Sequence, residues 1–402
     1  MRITGAKTTF DVTVDLVGSK SESNRALMIA YYGGFTPRIN NLSTSDDTQL
    51  LHEILQDSDN TSRIINCANA GTVLRFLLTA LAFREGEYIL TGSDRMLQRP
   101  VGDLVNALRT MGADVKYMGQ EGFPPLKING KTPLETDANP SQINVDISHS
   151  SQFASSLLLA LPVVETSPIV HLDGDLSSLP YVDMTIDMMQ KFGIVVHRDG
   201  RDVFMQPSDY QDVEYTVESD WTCASYWYEM IAFSENGRAR IRNLHIDSKQ
   251  GDAIVAKWFE QFGVKSIQDG NDVIIEKSVE TFPETSQNNH NRVLQFDFIN
   301  NPDLYPTIAA TCYGLGIEAQ FTGLRNLKHK ESDRVAAMTT ELSRVGTRRA
   351  TSLQFDSHND HRIAMAIAPL AMKIGVIEIN NADVVSKSYP NFWDEISPLL
   401  SK

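Results

Sequence analysis

Apolar and polar residues follow one grammar six times along this chain: a polar loop, an apolar helix-like run, a short turn that often holds glycine, then a strand-like run. SKSESNRALMIAYYGG leads into FTPRINNL, NAGTVLRFLLTALAFREG into EYILTG, and HSSQFASSLLLALPVVETS into PIVHLDGDL. DWTCASYWYEMIAFSENG leads into RARIRNL, NPDLYPTIAATCYGLG into IEAQFTGL, and NDHRIAMAIAPLAMKIG into VIEINNADV. A second helix often follows and ends on a glycine suited to a C-cap, as at Gly112, Gly193, Gly263 and Gly346. Strand-like ADVKYM and IVVHRD come after two of these. The pattern predicts a strand–helix–strand–helix–strand unit and hence an α/β fold. Six such units suggest two domains of three.

Each apolar run is preceded by Ser, Thr, Asn or Asp, the residues that cap helix starts. A helix start offers free backbone N–H groups and about half a positive charge. Several starts facing one place therefore make an anion site. Cations fall in or beside the same loops: Lys20, Arg25, Arg75, Arg99, Lys330, Arg334, Arg362 and Lys387. Any one of them read alone is a solvated surface charge; eight at loop–helix junctions point to anion binding, with Arg holding phosphate or carboxylate bidentately. The charge balance sharpens this. Over 402 residues, 36 Lys and Arg face 51 Asp and Glu, giving −15. That argues against bulk binding of nucleic acid or anionic membrane, while a local anion site remains open.

Acidic candidates are fewer. Asp303 stands at a helix start and Glu331 lies three residues before Arg334, so dipole and ion-pair roles would explain them singly. Asp220, Asp46 and Asp47 read as caps. His149 and His361 have no HxxxH spacing, so no metal site is expected, and GxGxxG, GxxxxGKS and GxSxG are absent. Three scattered cysteines (Cys67, Cys223, Cys312) fit a reducing cytoplasm. MRITGAKTTFDVTVD lacks the apolar core of a signal peptide, and the longest apolar stretch, Ile363 to Met372, is too short to span a bilayer.

Taken in order, the motifs resemble the EPSP synthase branch of the enolpyruvyl transferase family from Gly18 to about Trp393. They are GSKSESNRAL, NAGTVLR, SDRMLQRPVGDLVNALRTMGADV, SSQFASSLLLALP, SSLPYVDMTIDMMQKFG, KHKESDRVAAM, NDHRIAMA and SKSYPNFW. The resemblance implies a two-domain inside-out α/β barrel of six βαβαββ-like units, three per domain. Residues 19–218 would form one domain, residues 1–18 and 219–402 the other, with the active site in the cleft between them. It also implies the reaction: the enolpyruvyl group of phosphoenolpyruvate passes to the 5-hydroxyl of shikimate 3-phosphate and phosphate leaves, a step of chorismate and aromatic amino acid biosynthesis. A cytoplasmic monomer with no cofactor, no metal and only small-molecule partners is expected.

By motif matching, Lys20, Ser21, Arg25, Ser150, Ser151, Gln152, Ser178, Asp303, Asn326 and Lys330 would hold shikimate 3-phosphate. Lys20, Asn69, Gly71, Arg99, Gln152, Arg334, Arg362 and Lys387 would hold phosphoenolpyruvate. Asp303 would be the base for the 5-hydroxyl, Glu331 the proton donor or its partner, and Lys20 an aid to proton transfer. The chain departs from the family pattern at Val17, Glu22, Phe76 and Leu179, and the stretch between Ser45 and Asn69 is short. Glu22 sets a negative charge between two serines, and Phe76 stands where many members have proline. The sister enzymes acting on UDP-N-acetylglucosamine commonly carry a Cys in the loop matching SDRMLQRP, which has none here.

Overall fold

Helices that are apolar on every side must sit inside a folded chain, and these build the core. The computed structural model describes residues 1–57, 62–131, 140–164, 168–278, 293–345 and 353–401. They divide into two units: Lys20–Ser43 with Asp47–Val217, and Met1–Ser19 with Thr44–Asp46 and Glu218–Lys402. Each has its own apolar core. Among the described residues no helix is long and apolar enough to cross a membrane.

In the first unit the helices Lys20–Gly33, Gly71–Ala82 and Gln152–Ala160 pack on one another. All 12 residues of Gly71–Ala82 are buried. Ser62–Asn66 pairs in parallel with Gly86–Thr91, then Asp114–Tyr117 and Leu126–Gly130 form a hairpin beside them. The sheet order is first, second, fourth, third. The same order recurs for Gln142–Asp146, Ile169–Asp173, Val196–Asp199 and Asp202–Met205. Each parallel pair needs a crossover, and a buried helix supplies it. A third parallel pair is short: FTPRINNL contributes only Ile39–Asn40, paired with Tyr215–Thr216.

The second unit repeats the pattern with strands far apart in sequence. Thr9–Val14 runs parallel to Asn236–Ile241, and the hairpin Val264–Asp269 with Asp272–Lys277 completes the order seen twice above. Leu294–Asp297 pairs with Ala319–Thr322, and Leu353–Asp356 with Ile377–Asn380, to which Arg2–Ile3 adds antiparallel. Gly5–Ala6 pairs with Leu400–Ser401. The crossover helices are Trp221–Phe233, Tyr305–Leu315 and His361–Ile367. The last is shorter than its apolar run. Pro369 cannot donate to the ladder, so the chain passes through a 3-10 turn, Ala368–Leu370, before Ala371–Ile374.

The glycine ends behave as the pattern predicts. Gly112 (φ 86°) and Gly193 (φ 89°) follow helices with left-handed backbone, and Gly263 (φ 74°) caps another. Gly346 lies outside the described residues. The polar starts behave differently. Asp220 and Asp360 cap their helices by accepting from Cys223 N and Arg362 N, but Ala70, Ser151 and Leu304 make no side-chain cap. Asp46 and Asp47 are not caps either; they lie within the helix Asp46–Gln56.

Candidate active site

Several of the residues singled out above stand at the beginnings of buried helices, where unpaired N–H groups and dipoles favour anions: Lys20 and Ser21, Gly71, Gln152, and Arg362. In the first unit Lys20 opens its helix, and its Nζ lies 3.1 Å from Asp47 Oδ2. Ser21 follows, and its carbonyl accepts from Arg25 Nη1 at 2.8 Å. Arg25 is buried and donates also to Thr185 Oγ1 (2.7 Å), Ser155 Oγ (3.0 Å) and the Tyr181 carbonyl (3.1 Å). Its guanidinium lies 5.7 Å from the centroid of the Phe76 ring. Burial lowers its pKa to about 10, with Tyr181 and Glu22 opposing, so it is charged at neutral pH. Glu22 is itself buried, and its carboxylate accepts from the Tyr215 hydroxyl at 3.1 Å. The charge that the sequence sets between two serines is thus anchored on tyrosine.

Asn69 and Gly71 follow a turn in which Ala68 is left-handed (φ 46°) and Ala70 N donates to the Cys67 carbonyl at 2.9 Å. Gly71 is the first residue of its helix, and the guanidinium of Arg99 covers it: a Cβ there would lie 2.6 Å from Arg99 Nη1. A cation beside a positive helix end is an arrangement that an anion stabilises from both sides. Ser150 Oγ accepts from Gln152 N at 3.3 Å. The Gln152 side chain accepts from Arg75 Nη1 (2.6 Å) and donates to Thr72 Oγ1 (2.7 Å). Ser151 is buried one residue earlier. Ser178 is left-handed (φ 56°), a conformation that costs a non-glycine residue about 1–2 kcal/mol.

In the second unit one buried arginine holds three carboxylates. Arg334 Nη1 lies 2.7 Å from Asp303, Nη2 2.9 Å from Glu331, and Nε 2.8 Å from Asp360. Lys330 Nζ (3.2 Å) and Arg362 Nη2 (3.5 Å) also meet Asp303, and Lys387 Nζ meets Glu331 at 3.2 Å. Six candidates therefore share one network. Asn326 is buried on the 3-10 turn Arg325–His329 that leads to Lys330. Burial alone would raise the pKa of Asp303, but Lys330, Arg334 and Arg362 overcome it and hold the carboxyl well below its usual range. Glu331 precedes the helix Arg334–Val345, and only 9% of its side chain is exposed, so it is no surface ion pair.

The structure adds residues that sequence reasoning missed. Asp360 accepts from Arg334, from Ser332 Oγ (3.0 Å) and from the backbone N–H of Arg362 (3.0 Å), so one carboxylate grips the Arg334 guanidinium and caps the helix that carries Arg362. Its position ahead of an apolar run signals a cap; the grip on Arg334 depends on tertiary contact. Asp252 is buried and bonded to Thr222 and Asn301, and burial first, then Asp303, raise its pKa to about 6. Tyr226 Oη meets Arg362 Nη1 at 3.4 Å. Neither stands in a recognised motif.

The sequence pattern of the family described as EPSP synthase (3-phosphoshikimate 1-carboxyvinyltransferase) is matched over residues 57–396. The chain is 35% identical over 405 residues to a 3-phosphoshikimate 1-carboxyvinyltransferase of Bacteroides fragilis (strain YCH46), covering 96% of this chain and 94% of that one. A protein of the same name from Vibrio campbellii is 33% identical over 426 residues, covering 96% of each. In fold the chain is similar to a solved EPSP synthase of Acinetobacter baumannii, with a TM-score of 0.71, 20% identity, and 99% and 98% of the two chains covered.

Proposed function

Because the chain belongs to the EPSP synthase (3-phosphoshikimate 1-carboxyvinyltransferase) family, we propose that the candidate residues divide the work of that reaction among them. The enzyme transfers the enolpyruvyl group of phosphoenolpyruvate to the 5-hydroxyl of shikimate 3-phosphate, in the shikimate pathway. Lys20, Ser21, Arg25, Ser150, Ser151, Gln152, Ser178, Asp303, Asn326 and Lys330 hold shikimate 3-phosphate. Lys20, Asn69, Gly71, Arg99, Gln152, Arg334, Arg362 and Lys387 hold phosphoenolpyruvate. The observation that carries this reading is the Arg334 network, where Asp303 and Glu331 stand among four cations.

That network explains how a weak base becomes useful. With its carboxyl pulled down by three cations, Asp303 is a poor proton acceptor in the free enzyme. Anionic substrates neutralise those cations and raise its basicity where the 5-hydroxyl arrives. Asp303 takes the hydroxyl proton as the oxygen adds to the enol carbon, and Glu331 in its protonated form, or a donor it partners, gives a proton to the methylene, with Lys20 assisting and the proton returning the same way on elimination. Loss of that proton with expulsion of phosphate from the tetrahedral intermediate restores the double bond. Asp360 keeps the Arg334 guanidinium oriented throughout.

The same reading takes the fold as an inside-out barrel of six units, three per domain, supported by parallel strand pairs joined by buried helices, and the chain as a cytoplasmic monomer. Phosphate release from phosphoenolpyruvate, measured with and without shikimate 3-phosphate, tests the activity: release is expected only with both. Sedimentation velocity tests the monomer.

A further inference from the structure

We propose that Arg75 is a positioning residue that sets which end of the Gln152 amide is presented to substrate. The inference rests on the reading that Gln152 touches the substrates. An amide has an acceptor end and a donor end of nearly the same shape, and only the NH₂ end can serve an anion. Neighbours must therefore choose between two orientations. Thr72 Oγ1 lies 2.7 Å from Gln152 Nε2, but a hydroxyl accepts as readily as it donates and would tolerate either. Arg75 is different. Its guanidinium carries donors only, and Nη1 lies 2.6 Å from Gln152 Oε1. The reversed amide would set donor against donor beside a buried guanidinium.

Arg75 is itself held firmly enough to impose this choice. It is 4% exposed, its guanidinium carbon lies 5.3 Å from the centroid of the Phe153 ring, and Nη2 reaches the Pro100 carbonyl at 3.5 Å. Gln152 is half-buried at the start of its helix. Of its two amide hydrogens, one goes to Thr72 and the other is directed by the same lock. Arg75 reaches the chemistry through Gln152.

A double-mutant cycle tests the coupling. Arg75→Met should raise KM for both phosphoenolpyruvate and shikimate 3-phosphate about tenfold, as loss of one charge-assisted hydrogen bond does, with a smaller change in kcat. Arg75→Lys, still donor-only, should recover most of the loss. In a Gln152→Ala background Arg75→Met should add little. If it adds its full tenfold there, Arg75 does not act through Gln152 and the proposal falls. If Gln152→Ala alone leaves both KM values unchanged, it is instead the reading of Gln152 as a substrate contact that fails. Circular dichroism and thermal melting check folding. Should Arg75→Met not fold, Arg75→Gln replaces the donor-only partner by an amide that accepts either orientation. It should show the same coupled rise, and a wild-type KM in that variant would overturn the proposal equally.

Discussion

Asp303 and Glu331 share Arg334 but differ in their other partners, Lys330 and Arg362 for one, Lys387 for the other. Asp303→Asn and Glu331→Gln keep shape and remove proton transfer. Each should lower turnover by roughly 10²-fold or more, the usual scale for an acid–base group, while shikimate 3-phosphate binding, read by fluorescence titration, survives in part. Near wild-type turnover in both would remove them from the mechanism. Gly71 makes a separate point. A Cβ there would fall 2.6 Å from Arg99 Nη1, the far end of a flexible side chain, so the guanidinium gives way rather than the backbone. Gly71→Ala should raise KM for phosphoenolpyruvate several-fold and leave KM for shikimate 3-phosphate and thermal stability nearly unchanged. Equal effects on both KM values would count against the division of residues between the substrates. Phe76, which stands where many members have proline, is buried and its ring packs beside the Arg25 guanidinium, as a core residue that also floors a candidate site cation.

Among the elements, the helix Trp221–Phe233 is buried along all 13 residues, and Glu229 lies in its midst fully buried, with neither carboxyl oxygen meeting a hydrogen-bond partner among the described residues. Burial raises its pKa well above 4.5. From about pH 4.5 upward the folded chain therefore keeps a proton that the unfolded chain has lost, and stability declines with rising pH until the folded value is passed. Below that window its contribution is fully present. Glu229→Gln does not titrate, so its melting temperature should exceed that of wild type by about 2–4 °C at pH 7.5, the size of a 1 kcal/mol effect in a large domain, and the gap should close near pH 4.5. Scanning fluorimetry across this range decides it; a constant gap would mean that Glu229 stays charged. The helices were legible because their apolar runs and terminal glycines are local signals. The strand partners of Thr9–Val14 and the second role of Asp360 were not, since both depend on segments distant in sequence.

At the scale of the whole molecule, the two units differ in how their chain is assembled. Lys20–Ser43 and Asp47–Val217 come from one stretch of sequence, and both of its four-stranded sheets close within it. The other unit needs Thr9–Val14 against Asn236–Ile241 and Arg2–Ile3 against Ile377–Asn380. Residues 20–217 expressed alone should melt cooperatively in urea. Residues 218–402 alone should not, but should when residues 1–19 are joined behind them through a short linker, an order that the pairing of Gly5–Ala6 with Leu400–Ser401 permits. Cooperative melting of residues 218–402 without that strand would show the pairing to be dispensable. The same pairing has a consequence in time. Ribosomes make Thr9–Val14 before its partner strand, and over two hundred residues separate Val14 from Asn236. At about 5–20 residues per second the strand waits roughly 10–40 s for its partner. Meanwhile it is an unpaired edge open to wrong neighbours, while residues 20–217 emerge and can already be folding beside it. The alternation of exposed Thr9, Asp11 and Thr13 with apolar residues keeps one side of that waiting strand polar, which suits a segment translated well before its partner.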